Sequence, residues 1–190
     1  MEVKTEQQTL VEAGSRSDEP AALDTALPTA PSVDELNLVR ERTKAPIDLF
    51  LQEHHHLGSI QGWKACFSAR YRGHIVAVCI LGRPANPDVD DGTNIYITRL
   101  AARPDRPQNT GSWLIARARE WAALEDYDTL IALAGIAGNP GTVYSAAGFT
   151  CENFDDPDTG GGDSWQSREG RQAYEEYDKR RWTCDLRNYR

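Results

Sequence analysis

The stretch IYITRLAARPDRPQNTGSWLIARAREWAALEDYDTLIALAG, residues 95–135, decides the fold. Ile95 to Ala102 reads as a largely apolar strand, and RPDRPQNTG after it is a polar loop broken by prolines. Trp113, Leu114, Ala118, Trp121 and Leu124 then recur at helical spacing, which predicts a helix carrying one apolar face. A second apolar run, TLIALAG, returns the chain to the sheet.

Upstream, Lys64 to Tyr71 alternates Ala65, Phe67, Ala69 and Tyr71 with Cys66, Ser68 and Arg70. The Arg72-Gly73 turn and the run HIVAVCILG follow, predicting a β-hairpin whose second strand is buried. Leu36 to Arg40 is a short strand signal. Thr43 is placed as an N-cap, with Pro46 in the first turn and Ile47, Leu49, Phe50 and Leu51 as the apolar face of a first helix. Downstream, residues 139–149 read as a helix capped by Asn139, with Pro140 in its first turn, ended by Gly148 in a left-handed conformation before a strand begins at Phe149. The order β, α, β, β, β, α, β, α predicts an α/β (α+β) fold, one mixed sheet with helices on both faces. Residues 1–32, rich in Ala, Pro, Thr and acids, are expected to form a disordered acidic tail. Residues 33–190 form one domain with a C-terminal extension from about 150.

The 190 residues carry a formal net charge of -8, which argues against a protein that grips nucleic acid through a general coat of positive charge. The acid is local. Residues 1–35 hold eight acids and two bases, and Cys151 to Asp163 holds five acids and no base, leaving 16 acids against 19 bases elsewhere. A local, salt-sensitive contact with DNA stays open. The segment Ser164 to Arg190 interleaves seven bases with aromatic residues, which suits a nucleic-acid contact, while Trp182 suits a final edge strand over 181–186. No run is long enough to span a membrane, and the N-terminus lacks the basic start and apolar run of a secretory signal, so a cytoplasmic protein is expected. Cys66, Cys79, Cys151 and Cys184 are scattered, with no pairing that suggests a zinc ribbon or a disulfide framework.

Three places carry chemistry. Gln108, Asn109, Thr110, Gly111 and Ser112 stand at a helix start, where free backbone N–H groups and the helix dipole favour an anion such as phosphate; an ordinary capped loop has the same composition. Neither a Walker loop nor a dinucleotide fingerprint is present. Tyr144 lies on a helix that starts at the carboxyl end of a strand, where clefts of open sheets collect ligands, and its phenol is a candidate proton donor. His54, His55 and His56 are adjacent, and on a helix adjacent side chains point about 100° apart, so the three cannot face one metal ion. They read either as a polar helix end or, for His55 or His56, as a general base with a near-neutral pKa. Asp88, Asp90 and Asp91 read as a solvated loop or as a cation site.

The two loop-and-helix features together resemble the GCN5-related N-acetyltransferase (GNAT) superfamily. Gln108 and Gly111 match its coenzyme A loop, with Trp113 where the family has a small residue, and Asn139, Tyr144, Gly148 and Phe149 match its later motif. The resemblance implies a mostly antiparallel central sheet and acetyl-CoA or another acyl-CoA as donor. Its pyrophosphate would lie on Gln108, Asn109, Thr110, Gly111 and Ser112. Leu100 and Ala102 would offer strand-edge groups to the pantetheine, Asn139 and Tyr144 would line the cofactor, and Tyr144 would protonate the departing thiolate. A narrower resemblance is to phage-borne proteins related to the DNA-modification protein Mom. It rests on His54 to His56, Leu81 to Pro84, Asp90 to Gly92, Thr98 to Leu100, the Tyr-x-Ala-Ala-Gly-Phe turn and the GGxSW tail. It implies a nucleobase amine of DNA as acceptor, with Arg83, Tyr96 and Arg99 as substrate contacts and His55 or His56 as base. Tyr96 stands where related acyltransferases carry a catalytic carboxylate. That substitution and Trp113 also suit a second reading, a GNAT-shaped accessory module of phage or host defence without acyl transfer.

Overall fold

The computed structural model describes residues 27–84, 90–134, 140–152 and 180–190. The predicted order is found: β1 (Asn37–Arg40), α1 (Lys44–His54), β2 (Ala65–Tyr71), β3 (His74–Gly82), β4 (Asn94–Ala102), α2 (Thr110–Leu124), β5 (Thr129–Ala134), α3 (Thr142–Ala146), β6 (Thr150–Glu152) and β7 (Arg180–Asp185). Among the described residues the strands form one sheet in the order β1-β2-β3-β4-β5-β7-β6. Neighbours run antiparallel except β4 and β5, which the intervening α2 joins as a parallel pair. The fold is therefore mixed and mostly antiparallel, as expected.

Both faces are covered, each by its own apolar cluster. Ile47, Phe50 and Leu51 of α1 pack on Cys66, Val78, Ile80 and Ala101. Leu114, Ile115, Ala118 and Ala122 of α2 pack on the other face, against Cys79, Leu81, Ile95, Ile97, Leu130 and Ala132, joined by Tyr144, Phe149 and Trp182. Burial on both sides explains why β3 is a nearly continuous apolar run and why β2, Ser68 included, is buried along almost its whole length.

Strand β4 contains the decisive irregularity. Ile80 pairs with Arg99 and Leu81 with Ile97, so Thr98 is an extra residue without a partner on β3. Before it, Ile95 and Ile97 belong to the α2 cluster; after it, Ala101 belongs to the α1 cluster while Leu100 and Ala102 pack on the α2 side. The bulge reverses the alternation, placing Tyr96 and Arg99 on the same α1-side face, three residues apart. Thr98 Oγ1 donates to the Ile80 carbonyl at 3.2 Å. The site tolerates Thr98 because Gly82 lies opposite: a Cβ there would stand 2.9 Å from Thr98 Cγ2.

Several expectations need correction. The last strand is not at the edge, since β7 inserts between β5 and the short edge strand β6 and buries Trp182. Leu124, read as part of the apolar face of α2, is 81% exposed because the helix ends there and its last turn projects past the sheet. Helix α3 starts at Thr142 behind Gly141, whose φ of 82° makes a left-handed entry, so Pro140 precedes the helix; Asn139 lies outside the described residues. Gly148 does adopt the expected left-handed conformation, φ 83°. The body begins before residue 33: Ala30 is buried in the α2-side cluster, and the Arg103 guanidinium donates to the Pro28 and Leu27 carbonyls and to Asp105. Residues 1–26 lie outside the described residues.

If the bulge depends on the missing side chain at position 82, Gly82→Ala should lower stability by about 1–3 kcal/mol through overpacking. Adding Thr98→Ser, which removes the methyl it strikes, should recover part of the loss. Chemical denaturation of the two single variants and the double variant measures the coupling.

Candidate functional site

The parallel pairing of β4 and β5 is short. Asn94, Ile95, Tyr96 and Ile97 pair with Thr129, Leu130, Ile131 and Ala132, and there the ladder stops, although β4 continues to Ala102 and β5 to Ala134. Beyond Ile97 the strands part. Arg99 to Ala102 thus keep their β3 ladder on one side and offer an edge without a ladder on the other, so main-chain groups there can pair with an extended ligand. Leu100 and Ala102 stand on this edge.

The parted strands open toward the start of α2. Asn109, the residue before the helix, takes a left-handed conformation with φ 66° and makes no side-chain cap. Trp113 N–H is the first to reach back into the helix, to the Asn109 carbonyl at 2.9 Å. The amides of Gly111 and Ser112 consequently have no acceptor within the helix and point their dipoles outward. Thr110 is buried, its hydroxyl donating to the Pro107 carbonyl at 2.8 Å, which fixes the loop. A Cβ on Gly111 would come within 2.8 Å of Val143 Cγ2, so the glycine lets α2 and α3 approach closely. A groove of about 650 Å³ continues from this point between the two helices, lined by Asn109, Ser112, Trp113, Ala116, Arg119 and Gly148 among others. Trp113 packs partly buried against the core and forms a wall of that groove without filling it. Arg119 is fixed by a 2.6 Å bond from Nη1 to the Ala147 carbonyl and lies 4.0 Å from the ring centre of Tyr189.

Tyr144 is 5% exposed, packed on Phe149 and Trp182 with ring centres 5.7 and 6.3 Å away. Burial raises its pKa well above the ordinary phenol value, with Cys79 adding to the effect, so the hydroxyl keeps its proton at every physiological pH.

On the opposite face α1 ends at His54, whose ring packs on Phe50 with centroids 4.5 Å apart. His55 and His56 already lie beyond the helix, their rings stacked 4.6 Å apart. The expectation of a near-neutral base is overturned for His55. Burial, then the neighbouring His56 and Arg99, push its pKa down to about 4, and burial and Arg99 also lower that of His56. His55 Nδ1 further accepts the Leu57 N–H at 3.1 Å, so the neutral ring carries its proton on Nε2 and has no free acceptor nitrogen. Of the two, His56 is the ring that can accept a proton.

Arg83 is not brought to this place. It sits at the far end of β3, 3.7 Å from Asp90 across a separate cavity of about 480 Å³ lined also by Lys64, Asp91 and Tyr127. Asp91 is spoken for locally: its carboxylate accepts from the Thr93 and Asn94 amides and from both their side chains, which holds its pKa below the usual carboxylate value and starts β4. Among the described residues no group of three or more His, Cys, Asp or Glu is gathered for a metal ion, and Asp88 lies outside them. No described helix is long and apolar enough to cross a membrane. Sequence reasoning left Arg181 undecided and passed over Leu133. The ladder pairs these two directly, and since their neighbours Ala132, Ala134 and Trp182 belong to the α2-side cluster, both face the α1 side of the parted strands.

No protein-family model and no curated protein matches this sequence. Solved structures do match its fold. A Bacillus subtilis acetyltransferase in complex with CoA aligns over 79% of this chain and 98% of its own, with a TM-score of 0.53 at 15% identity. The ribosomal-protein-S18-alanine N-acetyltransferase of Escherichia coli aligns over 80% and 94%, TM-score 0.54 at 16% identity. A GNAT family N-acetyltransferase of Escherichia coli in complex with CoA aligns over 80% and 82%, TM-score 0.54 at 13% identity. The chain has the GNAT acetyltransferase fold.

Because His55 ordinarily titrates at 6.5 in an unfolded chain and only at about 4 here, the unfolded state binds the proton first. Stability should therefore fall as the pH drops from about 6.5 toward about 4, and His55→Asn should blunt that fall. Denaturation midpoints at pH 7 and pH 5 for both proteins check the sign, and an NMR titration of His55 should show a midpoint far below the usual imidazole range.

Proposed function

We propose that this protein is an acyl-CoA-dependent N-acyltransferase. The observation that carries the reading is the parting of β4 and β5 immediately before the left-handed entry to α2, which places an unladdered strand edge and uncapped helix amides along one path. A pantetheine arm has amides for the edge at Leu100 and Ala102, and a pyrophosphate has the amides of Gly111 and Ser112 with Asn109 and Thr110 beside them. Gln108 precedes them in the loop, and Asn139, outside the described residues, keeps the place the resemblance gave it. The thioester supplies an activated acyl group. This chain's residues position the amine, hold water away and manage the proton.

The attacking amine must be neutral and must lose a proton. His56 is unprotonated at neutral pH and is the ring able to accept it, while His55 holds the adjoining turn through Leu57. Tyr144 is a weaker acid than a thiol, so it stabilises the departing sulfur by donating a hydrogen bond rather than by surrendering its proton. In the finer reading the acceptor is a nucleobase amine of DNA, as in Mom-like proteins. The positive balance of 19 bases to 16 acids outside the two acidic stretches supports it, and the base would be reached flipped or single-stranded. Mass spectrometry of DNA nucleosides from expressing cells should show an acylated base that disappears with Tyr144→Phe.

Calorimetry with acetyl-CoA should give one site per chain. Ser112→Asp sets a negative charge among the helix amides and should weaken binding about tenfold or more. No binding by the unmodified protein would remove the acyltransferase reading.

A further inference from the structure

We infer that the acceptor amine carries its own oxyanion, a carboxylate or a phosphate, and that Arg99 and Arg181 hold it on the α1 side of the parted strands. The inference rests on the acyltransferase reading above and narrows its acceptor. The donor's side is set by the entry to α2 and by Leu100 and Ala102, which face the α2 cluster. An acceptor reaching the acyl carbon from the opposite face meets Tyr96 and Arg99 of β4, with His56 from the end of α1 within electrostatic reach of Arg99, and Leu133 of β5 and Arg181 of β7 beyond.

The bulge at Thr98 is what makes that wall cationic. In a regular strand Tyr96 and Arg99 would face opposite ways; with one extra residue both face the acceptor's side. Nη1 of Arg99 donates to the Thr98 carbonyl at 2.7 Å, which keeps the guanidinium over its own strand, close enough to His55 and His56 to depress both. Arg181 lies on the same face two strands away, on β7 beyond Leu133, its Nε 3.4 Å from Glu152, a carboxylate that also accepts the Thr183 hydroxyl at 2.9 Å. Burial raises the Tyr96 pKa, Arg181 opposes that rise, and Glu152 and Asp91 add to it, so the phenol lies within electrostatic reach of Arg181 and of both carboxylates.

Two consequences follow for an acceptor. Guanidinium groups near an amine disfavour its protonated form, which supplies the neutral nucleophile that acyl transfer needs. The same groups repel a molecule whose only charge is positive. An oxyanion on the acceptor reverses that repulsion and forms a charge-assisted, fork-shaped pair with arginine that fixes the amine's position. Leu133, 49% exposed beside Arg181, gives an apolar surface to the carbon skeleton between the two groups. Polyamines and lysine-rich peptides are the acceptors this wall disfavours.

The test follows thiol release from acetyl-CoA with matched acceptors: amino acids against their amides, and 2′-deoxyadenosine 5′-monophosphate against 2′-deoxyadenosine, with spermidine as the cationic control. In whichever arm is turned over, the oxyanion should raise kcat/KM about tenfold or more, the scale of one charged hydrogen-bonded pair, and spermidine should be the poorest acceptor. The amino-acid arm identifies a carboxylate and the nucleotide arm a phosphate. Arg99→Gln and Arg181→Gln should each shrink that advantage, and Arg99→Lys should retain part of it, with acetyl-CoA binding unchanged in all three. Equal rates within each pair, preference for spermidine, or turnover of no oxyanion-bearing amine by protein that binds acetyl-CoA would overturn the inference. Absence of acetyl-CoA binding is a distinguishable failure, which removes the donor reading and this one with it.

Discussion

Thr98 has no partner on β3, and the sheet arranges itself around that missing pair. One extra residue turns the alternation of β4 over, so the strand contributes Ile95 and Ile97 to the α2-side core and Ala101 to the α1-side core. The same local twist leaves β4 and β5 in register for only four pairs. A continuous ladder would have closed the sheet. Its interruption leaves an edge in the interior of the sheet, a place where backbone groups must find partners in water or in a ligand.

The parted strands matter because of what stands at their ends. Pro107 and the buried Thr110 fix the loop, Asn109 enters α2 in a left-handed conformation, and Gly111 allows α3 to close in through Val143. The chain thus presents helix amides to one end of the gap, while α1, stopping at His54, leaves His55 and His56 at the other face. The two faces have different characters. The α2 side is apolar with helix amides at its rim, and the α1 side carries Arg99, Arg181 and Tyr96.

Much of this was legible in the sequence, because the strong signals are local. The apolar runs over 74–82 and 129–134, the helical spacing from Trp113, and the Tyr-x-Ala-Ala-Gly-Phe turn each record burial or a backbone requirement within a few residues. Gly148 was read for the right physical reason, whereas the close approach that Gly111 permits is that of α3 through Val143. What stayed hidden depends on partners distant in sequence. Thr98 is an unremarkable strand residue until its β3 neighbours are known, and a strict period of two would have separated Tyr96 from Arg99. The insertion of β7 between β5 and β6 pairs Leu133 with Arg181 across nearly fifty residues. The depressed pKa of His55 likewise comes from burial and from Arg99 on another element. Arg83, which the resemblance counted among the substrate contacts, lines a separate cavity with Lys64, Asp90 and Asp91.

The central claim is that the edge of β4 beyond the bulge receives an extended donor whose phosphates lie on the start of α2. Amide hydrogen exchange with and without acetyl-CoA tests this most directly. The account predicts added protection at the amides of residues 98–102 and at Gly111 and Ser112, with β1 and β2 unchanged. Binding that leaves those amides as exchangeable as before, or that protects another part of the molecule instead, would contradict it.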